Sequence, residues 1–144
     1  MNTYNALLNI ALWLAGIGNF CVLGASLQAP ARLGWREDVA KLKPFNRKIF
    51  WVYGVFIVLT IIAFGTLTLA LHAELMRGDR AAVGLAAFIA VFWSTRVAID
   101  FFVYDHADWP PGKQFVIGHI LLTGLFIALA VAYWGVVVRS LMGW

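Results

Sequence analysis

Four long apolar stretches, separated by short polar ones, dominate this chain. They cover roughly residues 4–28, 49–72, 81–104 and 114–138. Each is long enough to cross the hydrocarbon of a bilayer as a helix, which takes about 20 residues. Strands are excluded, because the runs are too long and lack a two-residue alternation. The connections are short, so consecutive spans are expected to be antiparallel neighbours. The predicted fold is therefore an all-α integral membrane protein: four transmembrane helices in an antiparallel up-down bundle, one membrane domain over residues 1–144. The first stretch does not read as a cleaved signal peptide, since no basic segment precedes it and its apolar run is long. Ala15, Gly16, Gly18 and Gly24 would let neighbouring helices approach that span closely, although their spacing forms no clean dimer motif. No internal repeat stands out.

Composition agrees with this pattern. Apolar residues make up 62% of the chain, charged residues 12%, and the mean hydropathy is +0.83. Soluble domains carry about twice that charge. The net charge of +4 matters less than its placement. Arg32, Arg36, Lys41, Lys43, Arg47 and Lys48 fall between the first two spans, and Lys113 between the last two. Only Arg77, Arg80 and Arg139 fall on the opposite side. The positive-inside rule then places the first and third loops in the cytoplasm and both termini outside, in what reads as a bacterial cytoplasmic membrane. The basic residues are too few, in too apolar a chain, to imply a nucleic-acid partner. Cys21 is the single cysteine and sits in an apolar run, so it reads as a small buried hydrophobe.

The first loop carries a second pattern. Trp35, Val39 and Leu42 recur at helical spacing, with Arg32, Arg36 and Lys43 over much of the opposite face. This predicts a short interfacial helix ended by Pro44, with Arg32, Arg36, Lys41, Lys43, Arg47 and Lys48 set against anionic lipid headgroups. Phe50, Trp51 and Tyr53 open the second span, and Trp35, Trp109, Trp134 and Trp144 lie at or near span ends, as membrane-interface anchors do.

The third span breaks its own pattern. Arg96 and Asp100 stand four residues apart, on one helical face and about 6 Å apart along the axis. Trp93 and Tyr104 extend the same stripe. A mid-helix charge costs about 2.5–3.5 kcal/mol on insertion scales, so such residues face the bundle interior or a cavity. The helical lean carries Asp100 toward Arg96, which predicts pairing rather than snorkelling. His119 of the fourth span falls at a similar depth, and Asn19 and Tyr53 lie in the same half. The expectation is one polar layer of Arg96, Asp100, His119, Trp93, Tyr104, Asn19 and Tyr53, drawn from all four helices.

Other chemistry is thin. Asp105, His106, Asp108 and His119 offer nitrogen and oxygen donors, but their spacing matches no strong metal motif. A haem between His72 and another histidine is not expected, because His72 lies at the opposite end of the spans from His106 and His119. No phosphate loop, nucleophile elbow or two-histidine zinc helix occurs. Two functions stand ahead of a membrane enzyme or a transporter. One is a non-catalytic subunit or interaction protein with a membrane-protein partner or a second copy. The other is a binder of a quinone, lipid headgroup or similar amphiphile at the polar layer, with no cofactor specified.

Overall fold

A computed structural model describes residues 2–143, except the side chain of His106. The described residues are helical, with short connections and no strand. Helix α1 covers Thr3–Ser26, and Asn2 caps it by accepting from the Asn5 backbone N–H at 2.9 Å. Two short helices follow, α2 (Ala29–Arg32) and α3 (Trp35–Ala40). Then come α4 (Pro44–Ala70), α5 (His72–Arg77), α6 (Arg80–Phe102) and α7 (Lys113–Met142), with a single 3-10 turn at His106–Asp108 before the last. Four helices, α1 with its short continuation, α4, α6 and α7, are long and apolar enough to cross a membrane. The shortest of them, α6, has 23 residues, about 35 Å at 1.5 Å per residue.

The first loop departs from expectation. Its helix is divided, because Gly34 takes a left-handed backbone (φ 65°) that ends α2 and starts α3. Val39 is buried and Trp35 meets Phe50 of α4 edge-on at 5.2 Å, but Leu42 lies beyond α3 and is exposed. Pro44 opens the next helix rather than simply closing this one, in the first helical position where its missing N–H costs nothing. Helix α7 runs on to Met142, which leaves Trp134 well inside the helix, donating to Ser94 of α6 at 3.0 Å. Trp144 lies outside the described residues.

The long helices pack against one another: α1 against α4 and α7, and α6 against α7. Close approach is made by glycine. A Cβ on Gly16 would fall 2.5 Å from Leu69, and one on Gly65 would fall 2.6 Å from the Phe20 ring. The buried core is Leu8, Leu12, Ala15 and Val22 of α1, Ile61 and Phe64 of α4, Ala82, Ala86, Ile89, Ala90 and Trp93 of α6, and Phe126, Leu129, Tyr133 and Val136 of α7. These residues gather toward one end of the molecule. At the other end, no residue from 44 to 60 of α4 or from 113 to 125 of α7 is buried.

Candidate functional site

Two clusters of polar residues stand within the long helices. The first takes one side chain from each long helix. Asn19 of α1 donates through Nδ2 to the Ala15 carbonyl at 2.7 Å and to the Tyr133 hydroxyl of α7 at 2.8 Å. Trp93 of α6 donates through Nε1 to Asn19 Oδ1 at 3.2 Å. Thr68 of α4 donates to the Phe64 carbonyl at 2.7 Å and lies 2.6 Å from the Tyr133 hydroxyl. The proton directions follow from this arrangement. Thr68 spends its only proton on Phe64, so Tyr133 donates to Thr68 and accepts from Asn19. Every donor is used and all four side chains are buried. A hub of this kind ties the helices together at one point, and it has no spare donor for a ligand.

The second cluster is built on α6 and α7 one turn and more below Trp93. Asp100 is 2% exposed at its side chain. It accepts from Arg96 Nη1 at Oδ1 and from Thr123 Oγ1 at Oδ2, the latter at 2.6 Å. His119 Nε2 stands 3.8 Å from Oδ2, too far for a hydrogen bond. The His119 ring sits beside Trp109, with centroids 4.3 Å apart, and stacks more distantly on Phe115. The Arg96 guanidinium lies 4.8 Å from the Phe126 ring centre and 5.3 Å from that of Tyr104. Phe126 in turn stacks on Trp93 at 5.2 Å, so one ring separates the two clusters.

The single layer expected from sequence is therefore two layers. Arg96, Asp100, His119 and Tyr104 come together, whereas Trp93 and Asn19 belong to the saturated hub. Tyr53 joins neither. It is 65% exposed, because its half of α4 carries no buried residue at all. Sequence reasoning missed Thr68, Thr123 and Tyr133. Each is a hydroxyl in an apolar helix, and the available signal was that such groups need a hydrogen-bond partner.

The remaining candidates lie apart. Asp105 caps the turn after α6 by accepting from the Ala107 N–H at 2.9 Å, and Asp108 is exposed. The His106 side chain is outside the described residues. Among the described residues no group of three or more His, Cys, Asp or Glu is placed to hold a metal ion. Arg32, Arg36, Lys41, Lys43, Arg47 and Lys48 are all exposed, with Lys41 paired to Asp38 at 2.9 Å. Cys21 is exposed rather than buried, since its face of α1 is turned away from α4 and α7. At the opposite end His72 stacks on Trp13 at 4.4 Å. Beside it Arg77 bonds to Asp79 and Glu74, and these carboxylates, Asp79 first, hold its guanidinium pKa above the ordinary arginine value.

Comparison with protein-family models, curated proteins and solved structures finds no match to this chain.

Proposed function

We propose that this chain is an integral membrane protein that works by association, as a non-catalytic subunit or interaction protein of a membrane assembly. Its four long helices form an antiparallel up-down bundle in a bacterial cytoplasmic membrane, one domain, with both termini outside and the first and third loops in the cytoplasm. The contacts support the alternating direction. Trp13 meets His72 at the start of α5, Gly16 meets Leu69 and Phe20 meets Gly65, so each step up α1 is matched by a step down α4 and its continuation. The apolar outward faces support the bilayer: Leu7, Leu14, Phe56, Phe88, Val131 and their neighbours are exposed, as lipid-facing residues are. The exposed basic first loop supports a cytoplasmic position against anionic headgroups.

One observation carries the association reading. In the register of α1 on α4, Ser26 at the end of α1 comes level with Leu59. The preceding part of α4 meets the chain again at α3, where Trp35 packs on Phe50, yet Val52, Tyr53, Val55 and Phe56 along it are exposed. Half of one span thus has no buried residue, whereas the other half buries Ile61, Phe64, Gly65 and Thr68. Without a hydrophobic drive between helices in lipid, such a face gains from van der Waals contact with another helix. A partner span or a second copy of this chain supplies that contact.

The test is extraction in mild detergent followed by mass determination of the particle. A discrete assembly is expected, with a second chain in fixed ratio to this 16.0 kDa one. A lone protomer in every mild detergent would overturn the reading. Orientation is tested separately, in a Cys21→Ser background, by labelling an added C-terminal cysteine with an impermeant reagent. Labelling from outside intact cells is expected; labelling only after the inner face is opened would reverse the topology.

A further inference from the structure

We propose that Arg96 is the donor at a second, independent site, which binds the neutral carbonyl group of a lipid-phase molecule. The inference starts from unspent hydrogen-bonding capacity. A guanidinium carries several N–H donors in a planar fork and no acceptor. Arg96 spends one nitrogen on Asp100, and no other described residue accepts a hydrogen bond from it. Asp100 has nothing further to offer, because its second oxygen is taken by Thr123 and the carboxylate is 2% exposed. Arg96 itself remains 28% exposed at its side chain. Its free N–H groups therefore face outward from α6.

Depth sharpens the argument. Arg96 precedes the end of α6 at Phe102 by six residues, about 9 Å along the axis. With the membrane placement proposed above, the surroundings there are hydrocarbon, where an unshared N–H is costly. An acceptor must come from outside the chain. Charge then selects its type. The Arg96–Asp100 pair is already neutral, and a second anion would sit within a helical turn of the Asp100 carboxylate. A carbonyl oxygen accepts equally well and meets no such repulsion. The flanking surface suits a flat head: Tyr104 is 47% exposed beside the guanidinium, and Trp109 lies against His119 further along. Two sources share this chemistry, the ester carbonyl of a glycerolipid and the ring carbonyl of a quinone.

The site contrasts with the hub one ring away. There the Trp93 and Asn19 donors are consumed internally, so no ligand is needed. The inference rests on the membrane placement proposed above but not on a protein partner. Failure of that placement would appear as release of the chain from membranes by alkaline carbonate, separately from the experiment that follows.

The full chain is placed in nanodiscs of diether phosphatidylcholine, which has no ester carbonyl, and its thermal unfolding is measured. Three further discs are compared: diester phosphatidylcholine, diether phosphatidylcholine with a short-chain benzoquinone, and diether phosphatidylglycerol. A rise in Tm of about 5 °C is expected with the ester, the quinone or both, and the arm that responds identifies the source. The Arg96→Leu/Asp100→Leu double variant should lose the rise. Tyr104→Ala, at an exposed position where folding is safe, should reduce it by half or more. No rise in either carbonyl arm would overturn the proposal. So would a rise with phosphatidylglycerol alone, which would mark an anion site, or a rise that both variants retain in full.

Discussion

The two ends of this molecule are built on different terms. At one end, glycines at 16, 18, 65 and 135 bring helices into contact, and a four-helix hydrogen-bond hub closes with every donor used. At the other, Gly54, Gly118 and Gly124 face open space, no residue of α4 before Ile61 is buried, and a charged pair keeps part of its donor capacity unspent. The same composition of apolar helix with occasional polar residue yields both. The difference lies in whether a polar group meets its complement on another helix of the same chain. Where it does, the site is structural. Where it does not, we propose that lipid, ligand or partner supplies the complement.

The comparison can be broken most severely at the hub. Asn19→Leu removes the acceptor of Trp93 Nε1 and the donor to Tyr133, leaving polar groups unpaired where nothing can hydrate them. A loss of about 2–3 kcal/mol is expected in detergent unfolding, whereas no loss would mean that the hub is wet. Arg96→Leu should cost less, about 2 kcal/mol, since the guanidinium is partly exposed while the abandoned Asp100 is not. The double variant Arg96→Leu/Asp100→Leu should recover at least half of that, because replacing both partners is cheaper than orphaning one. Equal stability of the single variant and the native protein would show the pair to be solvated.

Glycine substitutions sharpen the contrast at smaller cost. Gly65→Ala drives a methyl to 2.6 Å from the Phe20 ring and should cost about 1–2 kcal/mol as overpacking. Gly118→Ala and Gly124→Ala meet nothing within 4 Å and should change stability by no more than about 0.5 kcal/mol. A comparable loss at all three positions would mean that the open end packs as tightly as the other.

Much of this architecture was legible in the sequence, for identifiable reasons. Span length and hydropathy reveal the long helices because an unbroken apolar run of that length is too long for a strand. The i, i+4 spacing reveals the Arg96–Asp100 contact because helical geometry alone sets it. Depth counting brought His119 near Asp100 but could not say that Thr123 would take the hydrogen bond instead. The hub was harder to read. Thr68 and Tyr133 look like tolerated polar residues until helix rotation and register are known, and those depend on Gly16 and Gly65 admitting Leu69 and Phe20. Tyr53 was misplaced for the same reason: depth put it level with the polar layer, but the rotation of α4 turned it outward. The break at Gly34 depends on a left-handed residue, which periodicity within the first loop does not reveal.

The claim that one end is completed from outside the chain is tested most directly along α4 itself. A photo-crosslinking residue is placed in turn at Val52, Tyr53 and Phe56, then at Ile62 and Leu67, which are also exposed but lie beside the packed core. Irradiation in native membranes should give a discrete protein adduct from the first three positions and lipid adducts from the last two. Lipid adducts alone at every position, or protein adducts spread evenly along the helix, would contradict the account.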